Sequence, residues 1–526
     1  MLLNLYRHPL AGLLWELFQE DILLKAGFEK VKSWECLYFH RAKQLFLSAY
    51  VDYKMAGRKE NISPMWDLLR SKGLELEPAV SLKSNVYLGC SQREVQPDQK
   101  IIDAKSEMLQ RICFDKTSSG KPLGTNQPEL KERSEVTAPA KPKTKKKKGK
   151  AKTIEQQTID GLQKAAKENS WRQLPANKGK VAAWTYEMFG HCTQNVERYL
   201  ELSGKDVKSL TAKAATPCID DHLIPPEEFE VKGALSPVAA RVVLKALYVA
   251  RIARYDFMWA VNMLAREVTR WTQACDRRLH RLISYMHQTS DFAQLCYVGD
   301  RPSDCWLTLF SDASFAGDLR DSKSTSGGLL ALVGPNTFVP VSWLCKKQGA
   351  VSHSTAESEV ISLDTGVRLE GIPALMLWSL IIDVFEPSAK NKGPSELTFP
   401  EKLNLRTTYD LFGAIDYVPP SLPICYGRGK LFCLEDNDAV IKMIVKGRSP
   451  NLRHVGRTHR VDLDWLFERI MQDPGIYVKY VGTKEQLADI LTKGSFTADA
   501  WNTLMNLCLI LPPQSRKYIN DLKPLK

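Results

Sequence analysis

This sequence lacks three things whose absence narrows what the chain can be: metal-spaced cysteines, long apolar runs and an export pattern at its start. Its twelve cysteines are scattered, with no Cys-x-x-Cys pair and no Cys/His cluster at zinc spacing. That argues against zinc knuckles, zinc fingers and a disulfide framework, and fits a reducing intracellular compartment, cytoplasm or nucleus. The longest apolar run, Ile372 to Ile382, contains Pro373 and falls far short of the roughly 20 residues that cross a bilayer. The opening MLLNLYRHPLAGLLWEL is broken by Arg7, His8, Pro9 and Glu16. No basic stretch precedes its apolar residues, so no signal peptide is expected. A soluble protein with no membrane partner is the expectation.

What is present is ordinary globular composition with one local anomaly. The 526 residues leave room for roughly two to four domains, and 44% hydrophobic with 25% charged residues is the balance of a soluble fold. The net charge is +13, and the eight lysines between Lys141 and Lys152 supply most of it, leaving +5 (13 − 8) elsewhere. The basic excess is one tract, which still favours a polyanionic partner.

Four textures follow one another. Residues 1–105 mix apolar and charged positions as a globular segment does. Residues 106–180 are poor in aromatics and rich in Lys, Pro, Ser, Thr and Glu, so they bury too little apolar area to offset ordering and are expected to be a disordered basic linker. Their lysine tract reads as a nuclear-import signal, a nucleic-acid tether or a solvated linker. Residues 181–300 look helical: Leu279, Leu282, Ile283 and Met286 form one stripe. Arg277, Arg278 and Arg281 lie among them, and Arg241, Arg251 and Arg254 precede them. These arginines either snorkel on a solvated face or contact a nucleic-acid backbone.

From Trp306 the pattern becomes α/β. WLTLF, GGLLALV, FVPVSW, LFCLE and IYVKYV read as strands, with GPN as a turn between the second and third. HSTAESEVISLDTGV has helical spacing, with Ser354 and Glu357 as a capping-box pair at its start. Further helices are expected over 461–471 and in EQLADILTK. Asp312 and Asp436 follow strands, the position where open α/β sheets build sites. Glu359 lies one turn into a helix, and Asp489 lies in a late one. Hard carboxylate oxygens of this kind suit a pair of Mg²⁺ or Mn²⁺ ions that activate water and stabilise a leaving oxygen.

Five segments occur in order between Trp306 and Ala498: SDASFAGDLRDSKSTSGGLLALV, SWLCKKQGAVSHSTAESEVISL, EDNDAVIKM, GRTHRVDLDWLFERI and EQLADILTK. Together they resemble the ribonuclease H domain of copia-type retrotransposon Pol polyproteins. The resemblance implies a ribonuclease H-like mixed five-stranded sheet with helices over 301–498. It also implies Asp312, Glu359, Asp436 and Asp489 as catalytic and metal-binding acids, and two Mg²⁺ or Mn²⁺ ions as cofactors. The family's Glu precedes a bulky residue and an apolar stripe, as Glu359 does, whereas Glu357 is occupied as the capping partner of Ser354; Glu359 is the choice. Asp318 and Asp321 read as turn or solvent residues of the loop after the first strand. Where the family continues Arg-Thr-Lys-His, this chain has His459 and Arg460, so His459 reads as structural at a helix start. Asp364-Thr365-Gly366 matches the aspartic-protease triplet, but inside a helical segment it is a coincidence.

Upstream, LYRHPLAGLLWE, AGFEKVKSWECLYFH, LFLSAYVDYKMAG and VYLGC resemble the second half of a copia-type reverse transcriptase palm. The family's Tyr-Val-Asp-Asp hairpin is here Tyr50-Val51-Asp52-Tyr53, with the second Asp missing and the first catalytic Asp of the family absent. Asp52 is a polymerase remnant, read as a hairpin turn residue. RIARYDFMWAVNMLAREVTRW resembles the family's thumb and connection. The expectation is an α+β palm remnant, a basic linker, a helical connection, a ribonuclease H domain and a tail over 499–526. Its function is Mg²⁺-dependent endonucleolytic cleavage of RNA in RNA–DNA hybrids, with polymerisation lost. The alternative is a catalytically dead nucleic-acid-binding or pseudogene product, and a third is a structural partner of an intact reverse transcriptase. Residues 383–430 are left as an inserted element or an excursion.

Overall fold

The structure is a computed structural model, and it describes residues 10–114, 181–387 and 428–518 apart from 51, 82, 83, 319, 448, 474 and 516. The lysine tract, the linker from 115 to 180 and most of the 383–430 stretch lie outside the described residues.

The first unit starts with α1 (Ala11–Lys25) and continues through β1 (Glu29–Lys30), β2 (Leu37–His40), β3 (Leu45–Ala49) and β4 (Tyr53–Gly57) to α2 (Lys59–Ser71). The strands form one antiparallel sheet in chain order. Leu45 and Leu47 alternate inward, as period-2 spacing requires, and pack with Leu23 and Leu69 into a separate core. Asp52 lies exposed in the turn between β3 and β4. This unit packs on a later helix, Ile372–Phe385, through Phe39, Phe46 and Val384, and the Trp34 indole donates to the Pro373 carbonyl at 3.2 Å.

The rest of the chain shares one sheet. Its elements are β5 (Ser84–Tyr87), β6 (Cys90–Gln96), α3 (Gln99–Phe114), β7 (Ala182–Glu187), α4 (Phe189–Ser203), α5 (Ala239–Ile252), α6 (Met258–Arg266), α7 (Gln273–Gln288) and β8 (Ala293–Val298). They continue with β9 (Trp306–Ser314), β10 (Thr325–Gly334), β11 (Thr337–Lys347), α8 (Thr355–Gly366), α9 (Ile372–Phe385), β12 (Leu431–Glu435) and α10 (Asp438–Lys446). The last are α11 (Val455–Thr458), α12 (Leu463–Gln472), β13 (Ile476–Tyr480), α13 (Asp489–Thr492), α14 (Ala498–Cys508), β14 (Ile510–Leu511) and β15 (Lys517–Tyr518). The strand path runs β13-β12-β9-β10-β11-β8-β7-β6-β15, with β14 on β8 and β5 on β6.

Strand order and direction position the site. β9, β10 and β11 are an antiparallel meander, whereas β12 runs parallel to β9 and β13 parallel to β12. Alternation along the central strands divides the interior into two layers. Leu307, Leu309, Leu431 and Cys433 face α8, α10 and α12. Phe310, Phe432 and Leu434 face the opposite core, which includes α5, α7 and α14. Helices therefore cover both faces, the usual solution for strands buried on two sides.

Several sequence expectations change here. The mixed sheet has eleven strands, not five; the five expected strands are all present but continue through β8 into β7 and β6. Residues 181–300 do hold four α-helices, but β7 and β8 flank them; a short buried strand such as AQLCYV cannot be told from helix by periodicity alone. Residues 106–114, expected as disordered, complete α3, where Ile112 and Cys113 are buried. Residues 499–518 hold α14, β14 and β15 and are no free tail. EQLADILTK forms only the short α13, after a 3₁₀ turn at Thr483–Glu485.

Candidate metal centre

Asp312 sits near the end of β9, opposite Gly327 of β10. Glu359 enters from α8, which is fastened to that strand by the Ser362 hydroxyl donating to the Asp312 carbonyl at 2.7 Å. Asp436 follows the parallel β12, where Asn437 caps α10 by accepting the Ala439 N–H at 3.0 Å. The strand order reverses at β9, with β10 and β11 on one side of it and the parallel β12 and β13 on the other, which is the place where open sheets form a crevice. There one carboxylate oxygen each from Asp312, Glu359 and Asp436 lies within 4.8 Å of the others. Asp312 is 2% and Glu359 7% exposed.

Asp489 does not belong to this trio. It borders it through Lys493, whose Nζ lies 2.5 Å from Asp489 Oδ1 and 3.6 Å from Asp312 Oδ1. The Thr492 hydroxyl donates to Asp312 Oδ2, and Gln486 Nε2 donates to the Ser311 carbonyl at 2.7 Å. α13 approaches the sheet closely because Gly327 carries no side chain: a Cβ there would collide with Thr492 Cγ2 and lie 3.2 Å from Leu491 Cβ.

Like charges in a dry site resist ionisation. Burial first, then Asp312 and Asp436, pushes the Glu359 carboxyl up to about 9. Burial and Asp312 push Asp489 to about 7 and raise Asp436. Burial pulls the Lys493 ammonium down, but Asp312 and Asp489 outweigh it and the net shift is upward. Glu359 Oε2 has no hydrogen-bond partner. A buried carboxylate oxygen without a donor is costly, and an all-oxygen acidic set fits a hard divalent cation.

Sequence reasoning missed two residues here. Glu435 is fully buried with neither carboxylate oxygen hydrogen-bonded, and burial together with Glu359 and Asp436 raises its carboxyl well above the usual range. The signal was an acid closing an otherwise apolar strand, LFCLE. Lys493 was legible only as the residue four after Asp489, on the same side of a helix.

Glu357 serves elsewhere. Its N–H donates to the capping Ser354 hydroxyl at 3.2 Å, while its Oε2 accepts the His353 N–H at 3.1 Å, one residue earlier than a capping box would place it. Its Oε1 lies 3.2 Å from Nε2 of both His454 and His459. The His459 contact is off the hydrogen-bond direction, so that buried ring stays without a partner. Asp318 and Asp321 flank Lys347, at 2.5 and 2.7 Å. Asp52 stays in its own sheet, outside the acid group.

Four of the six arginines singled out in the sequence make bonds within the chain. Arg254 is fully buried and forks onto both Asp256 oxygens, at 2.9 and 2.8 Å, and onto Thr289. Arg277 pairs with Glu228, Arg278 with Asp221, and Arg281 donates to the Thr216 carbonyl. Arg254 is buried rather than solvated, whereas Arg277 keeps 52% of its side chain exposed beside Glu228.

Over 141 residues the chain is 32% identical to the retrovirus-related Pol polyprotein from transposon RE2 of Arabidopsis thaliana, covering 27% of this chain and 9% of that one. Over 306 residues it is 24% identical to the Pol polyprotein from transposon TNT 1-94 of Nicotiana tabacum, covering 56% of this chain and 19% of that one. These relatives are Pol polyproteins of copia-type transposons, and the similarity, modest and over part of the chain, supports a retrotransposon Pol-derived protein. The chain is also 31% identical over 122 residues to the secreted RxLR effector protein 161 of Plasmopara viticola, covering 23% of this chain and 81% of that one. It spans between about a tenth and a fifth of the length of the Pol polyproteins it matches. No protein-family model matches it, and no solved structure does. Among the described residues, no helix is long and apolar enough to cross a membrane.

Proposed function

We propose that this Pol-derived chain is a ribonuclease H-like endonuclease that cuts the RNA strand of RNA–DNA hybrids with the help of Mg²⁺ or Mn²⁺. The observation that carries this reading is the convergence of Asp312, Glu359 and Asp436 between β9 and β12, where the strand order reverses. The mixed five-strand unit β9–β13 agrees with the ribonuclease H-like fold that the sequence resemblance implies. Divalent cations held by these acids would supply Lewis-acid activation of water and charge stabilisation at the leaving oxygen. The residues' own part is to fix the geometry. β9 and β12 hold Asp312 and Asp436, α8 brings in Glu359, and Thr492 holds one Asp312 oxygen in orientation. Hybrid selection would come from 2′-hydroxyls and duplex shape, with little base readout.

Polymerisation is not part of the proposal. A two-metal polymerase needs at least two carboxylates, and Asp52 stands in an exposed turn with Tyr53 after it. The test is purified chain on an end-labelled hybrid, with Mg²⁺ and with EDTA. Cleavage that requires Mg²⁺ and is lost in Asp312→Asn is expected. Hybrid bound but left uncut by the wild type would replace the nuclease with a nucleic-acid-binding protein, and cleavage retained in Asp312→Asn would remove the site assignment.

A further inference from the structure

The acid group is provided with a cation on one side and left without one on the other. Lys493 bridges Asp489 and Asp312 with its ammonium, at 2.5 and 3.6 Å. On the far side, Asp312, Glu359 and Asp436 converge without Asp489, and the unpartnered Glu359 Oε2 is buried among them. Two divalent ions would need Asp489 as a ligand, yet its Oδ1 is already in contact with Lys493.

We propose that Lys493 stands in for a second divalent ion, so that the free protein holds a single Mg²⁺ or Mn²⁺ on Asp312, Glu359 and Asp436. This rests on the cation-binding reading above. An ammonium offers point charge and hydrogen-bond donors but no coordination sites; it neutralises Asp489 without building a second coordination shell around it. Its side chain is 34% exposed and sits on a flexible four-carbon stem, so it is free to swing outward. A phosphodiester arriving at the open side would compete with Asp489 for the ammonium. The second metal position is then vacated only when nucleic acid is present.

Calorimetric titration of the full chain with Mn²⁺, without nucleic acid, tests this on the wild type, Lys493→Met and Lys493→Arg. One ion per chain is expected for the wild type and for Lys493→Arg, which keeps the charge, and two for Lys493→Met. Two ions in the wild type, or one in a Lys493→Met protein that retains the wild-type near-ultraviolet circular dichroism, would overturn the inference and leave the cation site intact. If Lys493→Met does not fold, Lys493→Gln takes its place. No saturable binding to the folded wild type would overturn the cation-binding reading itself, and the inference with it.

Discussion

Replacing Glu359 by glutamine should make the metal-free protein more stable, and increasingly so as pH rises. In the folded chain burial and the neighbouring Asp312 and Asp436 push the Glu359 carboxyl up to about 9, from an ordinary value of 4.5. An acid raised on folding contributes stability that is fully present below its unfolded pKa and is lost as pH climbs to the folded one. The window is therefore about pH 4.5 to 9. Each unit within it costs about 1.4 kcal/mol, so going from pH 5 to pH 8 removes at most about 4 kcal/mol. A direct Coulomb estimate is of the same order. Two charges no more than 4.8 Å apart repel by at least roughly 3 kcal/mol at an effective dielectric constant of 20. Glu359→Gln keeps the shape of the protonated acid and has no proton to lose. Urea denaturation in EDTA at pH 5, 6.5 and 8, followed by tryptophan fluorescence, should show the variant pulling ahead of wild type by up to that amount at pH 8 and by little at pH 5. Saturating Mn²⁺ should close the gap by stabilising only the wild type. Parallel pH dependences for the two proteins would refute the electrostatic account.

Two further substitutions probe how the site is supported. Arg254→Met leaves the buried Asp256 without its guanidinium, beside the Tyr285 hydroxyl that donates to it at 2.9 Å, so a loss of about 3–5 kcal/mol is expected; Arg254→Met with Asp256→Asn should recover part of it, and equal urea midpoints for single variant and wild type would count against the pairing. Gly327→Ala forces α13 away from β10, at about 1–3 kcal/mol for overpacking, and should also weaken Mn²⁺ binding because Thr492 holds Asp312; unchanged melting and affinity would show that the close approach does not matter.

How much of this was legible in the sequence differs by residue. β9 to β13 announced themselves because each is a short apolar run bounded by turn residues. Glu357 and Glu359 are only two apart, and a motif cannot separate them. The helix does, since two residues turn it by about 200°, sending one acid to the histidines and the other to the acid group. β8 escaped notice because a strand buried on both faces shows no alternation. The partners of Arg277, Arg278 and Arg281 lie between 49 and 65 positions away, beyond the reach of any local pattern. The same holds for Lys493, whose contact with Asp312 joins residues from opposite ends of the α/β unit.

The way β15 closes the sheet has a consequence for when the protein can fold. Lys517 and Tyr518 pair with Gln96 and Val95, about 420 positions earlier (517 − 96), and β14 lies against β8. A ribosome making this chain releases β6 long before β15 exists; β5 already pairs with Cys90 to Arg93, but the Val95–Gln96 end of that edge stays open to another extended peptide until β15 arrives. Pairings this distant in sequence form slowly, and the waiting species is the aggregation-prone one. Synthesis speed and temperature should therefore govern the yield of native protein more strongly than the final stability does.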